Sequence, residues 1–126
     1  MKLAALTIAP STQTVFDSGI VWSRKHRLET GGCFTVSARV GLHFWVQDAA
    51  VSIYRGENGT DPPHQTDTTI TLFCEDSTQS VWHTHLRQPS AWGCLPSVFD
   101  VANLRRPIGV IVCGIGRDSV IPFGWK

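Results

Sequence analysis

Apolar positions along the chain change their spacing, and each change marks a new element. Between Ser11 and Leu28, Val15, Phe16, Gly19, Ile20 and Trp22 form a stripe at helical spacing, with Ser11 placed to cap the start and Arg24, Lys25, His26 and Arg27 closing the segment. Cations at a helix C-terminus complement its dipole, so this basic turn has a structural reason before it has a binding one. After Gly31-Gly32 the pattern turns to β-branched and aromatic residues. Cys33 to Val40 and His43 to Tyr54, broken at Gly41, predict an antiparallel pair of strands. Gly56 to Pro63 holds turn formers and predicts an exposed loop. Asp67 to Cys74 alternates, with Thr69, Thr71 and Phe73 on one side and Ile70, Leu72 and Cys74 on the other, as a third strand would. A fourth runs from Ser80 to His85, and Leu86 to Leu95, interrupted by Pro89 and Gly93, predicts a loop. Pro96 to Leu104 reads as a short helix, Gly109 to Cys113 as a buried strand and Ser119 to Phe123 as a last strand. That order predicts a mixed α/β (α+β) fold with a mainly antiparallel sheet flanked by helices.

Composition narrows the class. A chain of 126 residues fits one domain, spanning residues 1–126. With 42% hydrophobic and 17% charged residues it is too apolar to be disordered, and a net charge of +1 lacks the basic excess of a nucleic-acid binder. The apolar run Leu3 to Pro10 falls well short of the ~20 residues needed to cross a bilayer, and no small-residue cleavage site follows it, so neither a membrane span nor a secretory leader is expected. Cys33, Cys74, Cys94 and Cys113 form no C-x-x-C pair, which argues against a zinc ribbon and a thioredoxin motif. Reduced, mostly buried thiols in a cytoplasmic protein are expected.

The candidate chemistry lies late in the chain. His83 and His85 are two apart on an expected strand, so both imidazoles project from one face and can converge on one ion. Ser97 and Asp100 are three apart at the start of the next expected helix, on the same side of its first turn. Two neutral imidazoles and one carboxylate suit Zn²⁺, and three protein ligands leave a fourth tetrahedral position open, the mark of a catalytic site. Each half also has an ordinary explanation: a pair of satisfied or exposed histidines, and a helix capping box.

In order and type these residues resemble the JAB/MPN domains that carry the JAMM motif, zinc metalloproteases whose pattern is an upstream glutamate, H-x-H, a loop and S-x-x-D. Here the pattern reads Glu29, then His83-Thr84-His85, then Ser97-Val98-Phe99-Asp100. Glu29-Thr30-Gly31-Gly32 is similar to the E-x-G-G turn between first helix and first strand in small prokaryotic or phage members. The resemblance implies a single MPN/JAB-like domain of cytidine deaminase-like architecture with one zinc per chain, held by His83, His85 and Asp100. It implies that Glu29 takes a proton from the attacking water and passes it to the leaving amine, and that Ser97 donates a hydrogen bond to the oxyanion. Glu29 read without the family is an exposed carboxylate at a helix end.

Two positions depart from the pattern. Eleven residues separate His85 from Ser97, more than the family's usual spacing, and Leu86 stands where a proline normally follows the second histidine. Ser90 is the competing serine, but Gly93 stands where its aspartate would have to be. The loop Leu86 to Leu95 begins directly after a ligand, so Trp92 within it is expected to line the approach to the site. The resemblance implies a deubiquitinase-like isopeptidase acting after the C-terminal tail of a ubiquitin-like protein or its conjugate, with E1-like and E2-like partners. Two alternatives stay open: a zinc enzyme that cuts peptidoglycan, a small amide or a sulfur-carrier adduct, and a non-catalytic MPN scaffold without metal.

Overall fold

The computed structural model describes residues 4–27, 29–51, 74, 79–85, 96, 104 and 106–124. In chain order these give β1 (Ala5–Ile8), α1 (Pro10–His26), β2 (Gly31–Val40), β3 (His43–Val51), β4 (Gln79–Thr84), β5 (Gly109–Val112) and β6 (Val120–Phe123). The expected loop Gly56 to Pro63, the strand from Asp67 up to Cys74, the loop Leu86 to Leu95 and the interior of the helix Pro96 to Leu104 lie outside the described residues.

The described strands form one six-stranded sheet in the order β1-β3-β2-β4-β5-β6. The β1–β3 and β4–β5 pairs are parallel, and the other three are antiparallel. The described part is therefore a mixed α+β fold of one helix and a six-stranded sheet. Strand β1 was not predicted. Its run is a period-two pattern in which Ala4, Leu6 and Ile8 pack on the core while Ala5 and Thr7 stay exposed. No helix among the described residues is long and apolar enough to cross a membrane.

Helix α1 begins one residue before the expected cap. Ala9 takes the N-cap position without a side-chain bond and Pro10 opens the helix, where its fixed φ and missing N–H cost nothing; Ser11 does not cap. The helix stops where Arg27 turns left-handed (φ 55°) and its N–H donates to the Ser23 carbonyl, with Arg24, Lys25 and His26 in the last turn as the dipole favours. The buried face is Thr12, Phe16, Gly19, Ile20 and Ser23. Trp22, expected in the stripe, instead lies on the outer side and stacks on His26 with ring centroids 4.3 Å apart.

The core forms between that helix face and the sheet. Phe16 meets the buried Trp82 of central strand β4 at 5.2 Å between ring centroids, and the Trp82 indole N–H donates to the Ala50 carbonyl at 3.1 Å. Gly19 lets the ring lie under the helix: a Cβ there would stand 2.9 Å from Trp82 Cη2 and Cζ3. On the opposite face Leu104, Ile111 and Phe123 make a smaller cluster flanked by Val81 and Ile121.

The expectation of reduced thiols is corrected. Cys33 in β2 and Cys74 form a disulfide with Cα atoms 5.9 Å apart, and Cys113, just after β5, is disulfide-bonded as well. Disulfides persist in oxidising surroundings and are rare in the cytosol, so the expected cytoplasmic location loses the argument it rested on. Arg106 ties the same region together, its Nε donating to the Gln79 carbonyl at 2.7 Å and its guanidinium to the Cys74 carbonyl at 3.1 Å.

Two stability outcomes are expected. Gly19→Ala should lower the unfolding free energy by about 1–3 kcal/mol, the usual cost of overpacking, even though alanine gains about 1 kcal/mol over glycine in helix propensity. Urea denaturation checks this, and a variant as stable as the parent would contradict the close packing of Trp82 under α1. Replacing Cys33 and Cys74 together by alanine should cost about 3–4 kcal/mol, the chain-entropy value for a cross-link between residues 41 apart. An unchanged urea midpoint would contradict the bond.

Candidate metal centre

Alternation along β4 separates core from site. Trp82 and Thr84 point toward α1, and His83 and His85 therefore project from the other face. Their Nε2 atoms lie 3.1 Å apart. His83 is buried, with Phe123 edge-on to its ring at 6.1 Å between centroids, while His85 is half-buried. The backbone around them is held from both sides, by Gly31 of β2 opposite His83 and by Ile111 of β5 beside it, and the His85 N–H donates to the Val112 carbonyl at 3.0 Å.

Glu29 precedes the strand that pairs with the histidine strand. In the antiparallel β2–β4 pair Gly31 is opposite His83, and the Thr84 N–H donates to the Thr30 carbonyl at 2.8 Å. Glu29 lies two residues before β2 and His85 directly after β4, so both flank the end of this ladder. Glu29 is only 8% exposed. It is no exposed helix-end carboxylate: the helix closes at Arg27, and Glu29 leads into β2.

Gly31 and Gly32 are the first residues of β2 and do not form the expected turn. Gly31 permits a close approach of the two strands beside the histidines, since a Cβ there would stand 2.9 Å from His83 Cα and 3.0 Å from its Cβ.

The histidine pair fits a shared cation. Two imidazole nitrogens each about 2.0–2.1 Å from one tetrahedral zinc stand about 3.3 Å apart, and 3.1 Å is close to that. Ser97, Asp100 and Trp92 lie outside the described residues, and among the described residues no group of three or more His, Cys, Asp or Glu could hold a metal ion. The other described histidines are engaged away from the site. The His26 ring stacks on Trp22 with Nδ1 2.9 Å from the Trp22 carbonyl, and the His43 ring stacks on Trp45 with Nε2 2.6 Å from Thr7 Oγ1.

Two features of the surroundings are absent from the sequence expectation. Cys33, opposite Val81, places one disulfide two residues along β2 from Gly31, and Cys113 follows the residue whose carbonyl holds the His85 N–H. Thr84, between the histidines, is fully buried and bonded to Ser23 and Thr30. The available signal for the second was its polarity at an inward position of a strand. Set against known proteins, the chain matches no family model, no curated protein and no solved structure.

Proposed function

We propose that the protein is a zinc-dependent amidohydrolase of the JAB/MPN type, cleaving the amide bond after the C-terminal tail of a ubiquitin-like protein or its conjugate. The observation that carries this is the approach of the His83 and His85 Nε2 atoms to 3.1 Å, with a buried glutamate, Glu29, leading into the neighbouring strand. Supporting it is the order of parts: a helix, Glu29 at the entry to β2, and His-x-His at the end of the neighbouring β4.

The residues divide the work by chemistry. His83, His85 and Asp100 would hold the zinc, two nitrogens and one oxygen being a donor set that suits it. When bound, zinc supplies a Lewis acid that polarises the scissile carbonyl and lowers the pKa of a water to about 7. Glu29 accepts the proton of the attacking water and delivers it to the leaving amine. Ser97 donates a hydrogen bond to the oxygen that becomes an oxyanion, a bond that strengthens as the carbon turns tetrahedral. Trp92 would take part in substrate binding, where small residues before the scissile carbonyl are expected. E1-like and E2-like proteins are the partners this substrate implies; neither nucleic acid nor membrane is among them.

The disulfides favour a second reading. Cys33–Cys74 and the bonded Cys113 suit an oxidising compartment, where a zinc amidohydrolase would meet peptidoglycan or another small amide in place of a cytoplasmic conjugate. Both readings share the metal centre and differ in what reaches it.

Purified protein is expected to hold one zinc per chain by elemental analysis, and His83→Ala or His85→Ala to abolish it. Glu29→Gln should keep the zinc while turnover falls by roughly two to four orders of magnitude. Absence of zinc from the parent would favour a non-catalytic scaffold, and loss of zinc in Glu29→Gln would make Glu29 a ligand. Substrate choice separates the two enzyme readings. Ubiquitin-like fusions ending in Gly-Gly should be cut well, those ending in Ala-Ala poorly and those ending in Leu-Leu not at all. Equal cleavage of all three, or release of amine from peptidoglycan peptides alone, would move the assignment to the second.

A further inference from the structure

Thr84 sits between the two histidines with its side chain on the opposite side of the sheet, fully buried, and takes no part in the chemistry above. Its hydroxyl has three neighbours. The Thr30 N–H donates to Thr84 Oγ1 at 2.9 Å, the Thr30 carbonyl lies 3.3 Å away, and Ser23 Oγ of α1 is at 2.6 Å. A hydroxyl offers one donor and two acceptor sites. All three fill at once if Thr84 donates to the Thr30 carbonyl and accepts from the Thr30 N–H and the Ser23 hydroxyl. That arrangement also fixes Ser23 as a donor.

The Thr30 N–H belongs to the peptide bond that joins Glu29 to Thr30. In a regular antiparallel pair it would donate to the carbonyl of the residue opposite, each residue exchanging both bonds with its partner. Here the Thr84 N–H makes its half of the exchange with the Thr30 carbonyl at 2.8 Å, but the return bond goes to the Thr84 hydroxyl. A side chain thus replaces the backbone at the rung where Glu29 leaves the ladder. Ser23, whose carbonyl accepts the closing N–H of α1, braces that hydroxyl from behind.

We infer that Thr84, braced by Ser23, is a positioning residue that sets where the Glu29 carboxylate stands relative to the histidine pair. The inference rests on the zinc hydrolase reading. Because the Thr84 hydroxyl bonds the Thr30 peptide next to the base and points away from both imidazoles, its loss should slow turnover while leaving metal and substrate binding alone, as removal of an interaction felt only in the transition state does. Displacements near 1 Å are worth up to about a hundredfold in rate.

The experiment compares the full chain with Thr84→Val, Thr84→Ser, Ser23→Ala and Ile20→Val, the last a core change under the same helix that leaves the clamp intact. Each is assayed for zinc content, for amide hydrogen exchange at Thr30, and for kcat and KM on the Gly-Gly-ended fusion. Thr84→Val is expected to keep one zinc, to expose the Thr30 amide to exchange and to lower kcat roughly 10- to 100-fold with KM unchanged. Ser23→Ala should do the same more weakly and serves if Thr84→Val fails to fold. Thr84→Ser should restore protection and kcat, and Ile20→Val should change neither. Protected Thr30 or normal kcat in both Thr84→Val and Ser23→Ala would overturn the role of Thr84 while leaving the hydrolase standing. A parent chain without zinc, or one whose Glu29→Gln variant turns over normally, would overturn the hydrolase reading and this role with it.

Discussion

The pairing of β2 with β4 is the constraint on which the rest depends. With Gly31 opposite His83, one side of the pair buries Trp82 and Thr84 under α1 and the other carries His83 and His85. Side chains alternate with a period of two, so a slip of one residue would send both histidines into the core and Trp82 out of it. Burying Trp82 and holding the histidines in place are therefore the same event. The apolar area of the tryptophan stabilises the register that the site needs.

Several local devices reinforce that register. Gly31 admits a strand contact that any side chain would obstruct. Gly19 does the same for the helix above, where Trp82 takes up the missing volume. The Cys33–Cys74 bond anchors β2 one side-chain repeat beyond Gly31, and Arg106 bonds the carbonyls of Cys74 and Gln79, so the entry to β4 is clasped as well. On the other flank β5 runs parallel to β4 and supplies the Val112 carbonyl that holds His85. His83 lies on the central strand β4 and His85 directly after it, with a strand on either side, as a preorganised site requires.

What the sequence made legible follows from how local each signal is. Helix α1 and the strands β2 through β6 carry their own periodicity, and the His-x-His pair declares a shared face through spacing alone. Strand β1 was missed because a short apolar run ahead of the first helix reads equally as a leader or a strand. Trp22 was placed inward by its character, although Thr12 and Ser23 hold the inward positions by geometry. The Cys33–Cys74 bond joins positions far apart in sequence, and pairing of that kind is set by sheet order, which no local pattern encodes. Glu29 entered through its resemblance to a motif, and its burial could be seen only in the fold. Ser97, Asp100 and Trp92 lie outside the described residues, so of the expected site the fold shows the close histidine pair and a buried Glu29.

The most direct measurement is X-ray absorption at the zinc edge of the purified, loaded protein. Two imidazoles with oxygen donors should give about four nitrogen or oxygen scatterers near 2.0–2.1 Å, with the outer-shell pattern of two histidine rings and no sulfur near 2.3 Å. A sulfur shell would move the metal to the cysteines, and a shell without two imidazoles would contradict the convergence of His83 and His85 on which the site is built.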